Sequence, residues 1–205
     1  LEPGIWSLRT EPAFAIGQRA HLIQTPEGNV LWDCITLLDD ATIEAIRDEG
    51  GLAAIAVSHP HYYSAIARWS ETFGNAPVWI HRADEPWIVH RPRNLQLWEG
   101  ERTSLPGGFL LAHTGGHFDG YQVGVHAGAL FAGDQPQVCM DRRWVSFLYS
   151  YPNMIPFNAP TIRHIAATLR GLPFHRLYGA FGRNIPHDAK AAIERSAERY
   201  LKAIS

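Results

Sequence analysis

The feature that most constrains the fold is a short run of apolar residues that a polar loop follows directly. Residues 52–57 read LAAIAV and stand between Gly51 and Ser58. A strand whose side chains do not alternate between apolar and polar is buried on both faces, as in parallel sheets that helices cover. The sequence therefore predicts a layered α/β protein in which this strand delivers His59 at its carboxyl end.

Strand and helix patterns alternate along the rest of the chain. Apolar residues spaced three and four apart predict helices, and short apolar runs bounded by glycine or proline predict strands. The predicted elements are a hairpin within 13–33, a helix over 41–48 capped by Asp40, a strand over 52–57, a helix over 63–73, strands over 77–81 and within 109–130, and helices over 160–170 and 188–204 beside a strand at 175–178. No repeat or linker divides the sequence, so residues 1–205 are predicted to form one domain.

Composition argues against several classes of partner. The chain has 205 residues, of which 46% are hydrophobic, and its formal net charge of -2 gives no strong field. Neither nucleic acid nor a membrane is therefore predicted as a partner, and a homo-oligomer stays open. Cys34 and Cys139 form no CxxC pair, which favours a reducing cytoplasm over a disulfide-bonded scaffold.

Four side chains that can bind a metal ion follow predicted strands. His59 and His61 are one residue apart on the loop after residues 52–57, where the period of two in extended chain lets both rings face one point. His117 follows Gly115-Gly116, whose glycines allow a sharp turn, and Asp134 ends the apolar segment 129–134. Three imidazoles and a carboxylate are a ligand set for zinc, iron or manganese.

These motifs and their order resemble the metallo-β-lactamase superfamily, whose mark is THxHxDH after a strand, then an HTPGH-like turn, then a strand ending in GD. The matching segments are Ser58-His59-Pro60-His61, His113-Thr114-Gly115-Gly116-His117 and Leu130-Phe131-Ala132-Gly133-Asp134. The resemblance implies an αββα sandwich, in which helices flank two mixed sheets. It also implies that Asp33, which matches an early aspartate of the family, supports the metal ligands from behind.

The departures from the family pattern fall on the second metal site. Tyr63 and Ser64 stand where the family has aspartate and histidine, and Phe181 lies in the segment Gly179-Ala180-Phe181-Gly182, where the last ligand histidine is expected. A phenylalanine cannot bind a hard cation, and a serine hydroxyl is a poor substitute for imidazole. One divalent metal ion is therefore expected, zinc first, with iron or manganese as alternatives, bound by His59, His61, His117 and Asp134.

The resemblance implies a metal-dependent hydrolase whose partner is a small-molecule substrate, a small ester or thioester. In that hypothesis Asp134 ligates the ion or accepts a proton from water, and Tyr63 donates a hydrogen bond to the developing oxyanion. Two alternatives stay open: a degenerate metal-binding or sensing module without hydrolase activity, and an iron-based redox protein.

Several other conspicuous residues are predicted to have structural roles. His81 and His126 lie in strand-like segments away from the motifs, and His113 is expected to support the turn before His117. Tyr62 is predicted to pack in the core. The segments 142–144 and 150–153 are predicted to be solvated loops, in a region that can rim a pocket.

Overall fold

The computed structural model describes residues 1–205, which form sixteen strands, four α-helices and three short 3-10 helices. The strands are β1 Ile5–Leu8, β2 Ala20–Thr25, β3 Gly28–Trp32, β4 Ala54–Ala56, β5 Val78–His81, β6 Leu95–Trp98, β7 Arg102–Ser104, β8 Leu110–His113, β9 Gln122–His126, β10 Gly128–Gly133, β11 Gln137–Val138, β12 Val145–Ser146, β13 Leu148–Ser150, β14 Ile155–Pro156, β15 Phe174–Gly179 and β16 Asn184–Ile185. The helices are α1 Asp40–Asp48, α2 Ile66–Thr72, α3 Ala159–Arg170 and α4 Ala189–Ala203; the 3-10 helices are Pro60–Ala65, Arg82–Trp87 and Pro106–Gly108.

Twelve of the strands form two mixed six-stranded sheets. The first sheet has the order β1-β2-β3-β4-β5-β6, antiparallel from β1 to β3 and parallel from β3 to β6. The second has the order β16-β15-β10-β9-β8-β7, in which only β10 and β15 are parallel. None of the helices combines the length and apolarity that crossing a membrane requires.

Three apolar clusters hold the layers together. The cluster between the sheets contains the fully buried rings of Trp32, Phe109 and Phe131, whose neighbouring centroids are 5.9–6.0 Å apart. A second cluster lies between the first sheet and helices α1 and α2, and a third lies between the second sheet and helices α3 and α4. The layer order is therefore helix, sheet, sheet, helix, and the predicted αββα sandwich is confirmed.

The helices begin at residues that capping side chains precede, and one predicted cap is wrong by one residue. Asn158 caps α3, since its side chain accepts a hydrogen bond from the backbone N–H of Thr161, and Pro160 lies in the first turn as predicted. The cap of α1 is Asp39, which accepts from Thr42 N, so the prediction of Asp40 was wrong by one residue. Asp40 is instead the first helical residue, where its negative charge suits the helix dipole.

The predicted helix over 63–73 and the predicted hairpin are each shorter than expected. A 3-10 helix occupies Pro60–Ala65, and the α-helix begins only at Ile66 and buries Ile66 and Trp69. The hairpin is formed by β2 and β3, so its first strand begins at Ala20 rather than near Ala13. Strand β1, which extends this hairpin at the sheet edge, was not predicted from its four residues.

Candidate metal centre

The four predicted metal ligands converge at one end of the sandwich. His59, His61, His117 and Asp134 each offer one ligand atom, and these atoms all lie within 4.8 Å of one another. Nε2 of His59 is 3.4 Å from Oδ2 of Asp134, and Nε2 of His117 is 3.4 Å from Nδ1 of His61. Such spacing leaves room for one ion among the four atoms, because ligand bonds to zinc are about 2.0–2.3 Å long.

His59 and His61 reach this point by a different route from the one predicted. His59 follows β4 in extended conformation, with φ -167° and ψ 170°, as expected. His61 does not continue in extended chain, because it is the second residue of the 3-10 helix Pro60–Ala65. The two rings, 5.0 Å apart between centroids, are therefore brought together by a strand-to-helix turn and not by the alternation of a strand.

A chain of buried polar groups fixes the ring of His59. Oγ of Ser58 lies 2.9 Å from His59 Nδ1 and donates to Oδ1 of Asp33, 2.8 Å away, and the backbone N–H of Ser58 donates to the same oxygen. Burial raises the pKa of Asp33 to about 7, although the hydrogen bonds from Ser58 act against this rise. Asp33 thus lies behind the site, in the position that its match to the family implied.

The environment of Nε2 of His59, the ring nitrogen that does not face Ser58, tests whether these residues suit a metal ion. Nε2 of His59 is buried and makes no well-aligned hydrogen bond, and its nearest acceptor is Oδ2 of Asp134 at 3.4 Å. A buried polar atom without a partner costs roughly 1–3 kcal/mol, so such atoms are rare unless a ligand satisfies them. Burial and the neighbouring His59 and His117 also lower the pKa of His61 to about 4, which favours the neutral imidazole that binds metals. The residues present therefore fit a divalent ion.

Two glycines and a glutamine place His117. Gly115 and Gly116 have φ of 57° and 105°, in the region that favours glycine, so the predicted sharp turn is confirmed. A Cβ on Gly116 would lie 2.6 Å from Oε1 of Gln135. That oxygen accepts the backbone N–H of His117, and Nδ1 of the His117 ring is hydrogen-bonded to the carbonyl oxygen of Tyr149. The ring is thus held from behind with Nε2 facing the other ligands.

Asp134 is held by Tyr121, which sequence reasoning did not identify, and by Tyr151, which belongs to the segment 150–153 that was predicted to be a solvated loop. The hydroxyl of Tyr121 lies 3.1 Å from Oδ1 of Asp134 and also accepts the backbone N–H groups of Asp134 and Gln135. The hydroxyl of Tyr151 donates to the carbonyl oxygen of Asp134. Burial acts to raise the pKa of Asp134, but the neighbouring His59 and His117 and the hydroxyl of Tyr121 outweigh it and hold that pKa below its ordinary value.

The three residues that depart from the family pattern, Tyr63, Ser64 and Phe181, lie in three different environments. Tyr63 is buried, its hydroxyl donates to Oδ2 of Asp84 at 3.5 Å, and it does not line the cavity beside the site. Ser64 is exposed, and Phe181 is an apolar wall of that cavity. Burial raises the pKa of Asp84 to about 6, and Asp84 also accepts the backbone N–H of Gly120 at 2.7 Å. Asp84 is thus a buried carboxylate that no sequence motif marked.

The other histidines lie outside the four-residue group. His81 stacks on His113 with centroids 3.9 Å apart, and Nε2 of His113 is hydrogen-bonded to the carbonyl oxygen of Asp119 across the turn that precedes His117. His126 lies beside the ring of Phe109. The ring of Tyr62 packs 4.4 Å from that of His59.

We expect Ser58→Ala to lower the affinity for a metal ion by about 10- to 100-fold, because partners behind a ligating histidine have effects of that size. The change removes the only side-chain contact that holds Nδ1 of His59. Competition with a chromophoric chelator measures the affinity. Ser196→Ala is the matched control, since Ser196 is equally buried but bonds Ala192 and Val145 far from the ligands. Equal affinities in the two variants would contradict the role of Ser58.

Known structures share this arrangement of layers. DIM-1 metallo-beta-lactamase superposes with a TM-score of 0.72 at 13% identity, covering 100% of this chain and 96% of that chain. The metallo-beta-lactamase family protein TTHA1429 from Thermus thermophilus gives 0.63 at 18% identity, covering 98% and 79%. TTHA1623, in a di-iron-bound form, gives 0.61 at 21% identity, covering 87% and 93%. The protein therefore has the metallo-β-lactamase fold, with one group of three histidines and an aspartate at its rim.

Sequence comparison identifies a relative that is similar enough to define the family of this chain. No protein-family model matches the chain. The chain is 46% identical over 211 aligned residues to the protein YmaE of Bacillus subtilis (strain 168), and the alignment covers all of this chain and 76% of YmaE. The chain belongs to the same family as YmaE.

Proposed function

We propose that this protein is a hydrolase that uses one divalent metal ion, zinc in preference to iron or manganese, to cleave a small ester or thioester. His59, His61 and His117 would hold the ion together with Asp134. The observation that carries the proposal is the convergence of four ligand atoms within 4.8 Å of one another, among them the buried Nε2 of His59, which makes no well-aligned hydrogen bond. This group opens into a cavity of about 640 Å³, a size that suits a small organic substrate.

A single ion is proposed because of the residues around this group. Tyr63 is engaged with Asp84, Ser64 is exposed, and Phe181 presents a phenyl ring to the cavity. None of these three supplies a carboxylate or imidazole for a second ion. Iron is among the ions that the remaining ligands suit, and the similar protein TTHA1623 has been described in a di-iron-bound form.

In the proposed hydrolysis, the ion and the side chains of this site would have separate roles. The ion would supply Lewis acidity, which polarises a carbonyl group and makes hydroxide available near neutral pH. Asp134 lines the cavity and its Oδ2 lies 3.4 Å from Nε2 of His59, so this oxygen could help to hold the ion or accept the proton that an attacking water loses. The hydroxyl of Tyr121 contacts this carboxylate, and the hydroxyl of Tyr151 donates to the backbone carbonyl oxygen of the same residue.

Hydrolysis of short acyl esters and thioesters by the metal-loaded protein tests the proposal. The expected result is turnover that disappears when a chelator removes the ion and returns when zinc is added back. Turnover that persists in the metal-free protein would contradict the proposal, as would the absence of turnover of any ester or thioester by protein with a full site.

The predicted donation of a hydrogen bond by Tyr63 to the oxyanion has a direct test in Tyr63→Phe. Because the hydroxyl is buried and donates to Asp84, we expect this variant to keep kcat/KM within about threefold of the parent. Loss of an oxyanion donor typically lowers the turnover rate by about 100-fold or more while KM stays unchanged. A fall of that size would restore the catalytic role that the sequence predicted for Tyr63.

A further inference from the structure

The three candidate histidine ligands differ in what holds their rings. Nδ1 of His59 lies 2.9 Å from Oγ of Ser58. Nδ1 of His117 is hydrogen-bonded to the carbonyl oxygen of Tyr149. The ring of His61 has no such partner, because its one polar contact joins Nδ1 to Nε2 of His117, which is itself a candidate ligand atom. Histidines that bind metal ions almost always have a hydrogen-bond partner on the other ring nitrogen, so another contact must orient His61.

His61 is also the most exposed of the four candidate ligands. The side chains of His59 and Asp134 are buried and that of His117 is half-buried, whereas that of His61 is exposed. An exposed side chain that is free to change rotamer loses conformational entropy when it is fixed on an ion, and this loss weakens binding. A contact that already fixes the ring in the metal-free protein would therefore raise the affinity for the ion.

The ring of Phe118 makes this contact. Its centroid lies 5.0 Å from that of His61, and the two planes meet at 88°, which is the edge-to-face arrangement that aromatic pairs favour. The other rings beside His61 are those of the ligands His59 and His117. Phe118 lies 5.0 Å from the ring of His117 as well, but that ring already has its hydrogen bond from behind. Phe118 is therefore expected to matter most for His61.

Phe118 is in turn held by the 3-10 helix Arg82–Trp87. The ring of Trp87, at the end of this helix, packs edge-to-face on Phe118 with centroids 5.4 Å apart. The fully buried Asp84 of the same helix accepts the backbone N–H of Gly120, two residues after Phe118, at 2.7 Å. A Cβ on Gly120 would lie 2.6 Å from Cγ of Asp84, so the two segments are in close contact. Asp84 thus joins the segment that carries Phe118 to the one that carries Trp87.

We propose that Phe118 is the positioning residue of His61, and that ring packing fixes this ligand where hydrogen bonds fix the other two histidines. Trp87 holds Phe118 and so acts on His61 through it. Asp84, the buried carboxylate that no motif marked, serves to join the segments that carry these two rings. The inference rests on the metal site of the proposed function and does not depend on the hydrolysis of any substrate.

Zinc affinity in a double-mutant cycle tests this role. We expect Phe118→Ala to weaken zinc binding at least about tenfold, the lower end of the effects that follow when a ligating histidine loses its support. In protein that already carries His61→Ala, the same change should weaken binding by less than about twofold, because a residue that acts through His61 then has no ligand to position. Competition with chromophoric chelators of graded affinity measures the parent, both single variants and the double variant.

Phe181→Ala is the matched control for Phe118→Ala. Phe181 also presents a phenyl ring to the cavity, but the rings that pack on His61 are those of Phe118 and of the ligands. We expect Phe181→Ala to keep zinc affinity within about threefold of the parent, as for a residue without a shared partner. Zinc affinity that Phe118→Ala leaves unchanged, or an equal loss with and without His61, would overturn the inference.

Trp87→Ala carries the test if Phe118→Ala does not fold. Trp87 is 56% exposed, so its removal leaves the core intact, and urea unfolding of the metal-free protein checks this. We expect zinc binding to weaken at least about threefold, since an edge-to-face aromatic pair stabilises by an amount of this order. The loss should again vanish in protein with His61→Ala. Zinc affinity equal to that of the parent, or a loss that persists without His61, would overturn the inference.

The outcomes separate this inference from the hydrolase proposal. The predicted cycle in a protein that cleaves no ester or thioester would support the positioning role of Phe118 and refute hydrolysis. Turnover of esters together with zinc affinity that Phe118→Ala leaves unchanged would do the reverse. A parent protein that binds no zinc would overturn both.

Discussion

Replacing Asp134 with asparagine is expected to lower kcat/KM for ester hydrolysis by about 100- to 10,000-fold, the range typical of the loss of a positioned acid or base. Asparagine keeps the size of the side chain but removes the negative charge of an oxygen that lies 3.4 Å from Nε2 of His59. The three imidazoles remain in the variant, so metal should still bind, although more weakly. Steady-state kinetics on metal-loaded protein, with metal content measured on the same sample, checks both statements.

Asp119→Asn is the matched control for this prediction. Asp119 lines the same cavity but is exposed and is not one of the four ligands. We expect it to change kcat/KM for a neutral ester by less than about threefold, because an exposed charge is screened by solvent. Comparable losses in the two variants would mean that Asp134 acts only through the field of the cavity and not at the reacting atoms.

Gly133→Ala is expected to disturb both the fold and the ligands. Gly133 has φ 61°, and a Cβ at this position would lie 2.6 Å from Oγ of Ser58 and 2.7 Å from the hydroxyl of Tyr121. Left-handed backbone at a non-glycine residue costs about 1–3 kcal/mol, and the collision adds a similar amount. Ser58 supports His59 and Tyr121 supports Asp134, so metal affinity should fall at least about tenfold.

Urea unfolding of metal-free protein and chelator competition measure these two effects, and Gly74→Ala separates backbone strain from collision. Gly74 has φ 72°, close to that of Gly133, but a Cβ there would meet no atom within 4 Å. We expect Gly74→Ala to lose about 1 kcal/mol of stability and no metal affinity. If Gly133→Ala behaves in the same way as Gly74→Ala, the packing of Ser58 and Tyr121 against Gly133 does not control the ligands.

The convergence of the candidate ligands was predictable because His59, His117 and Asp134 each follow a feature that is local in sequence. His59 and Asp134 lie just beyond apolar strands, and the two glycines before His117 have the positive φ that their residue type suggested. Because residues that follow strands can meet at one edge of a layered fold, the order of the predicted strands indicated a metal site at the rim. No comparable signal marks strand β1, because its four residues form a strand only through pairing with β2.

The residues that hold the candidate ligands in place could not be predicted, because no feature that is local in sequence marks them. Tyr121 and Gln135 act through hydrogen bonds to residues that are brought near by tertiary structure, and neither stands in a motif. Tyr63 stands where the family has a ligand aspartate, so its place in the motif suggested a role toward substrate. Its observed partner, Asp84, comes from the 3-10 helix after β5, which sequence spacing could not place beside it.

Elemental analysis of the purified, reconstituted protein tests the central claim most directly. The account predicts about one divalent ion per chain in the parent and almost none in the double variant His59→Ala, His117→Ala. The control His164→Ala, His187→Ala also removes two histidines, but exposed ones outside the ligand group, and should keep its ion. Two ions per parent chain, none after reconstitution, or an ion that survives loss of both ligands would contradict a single-metal site at these residues.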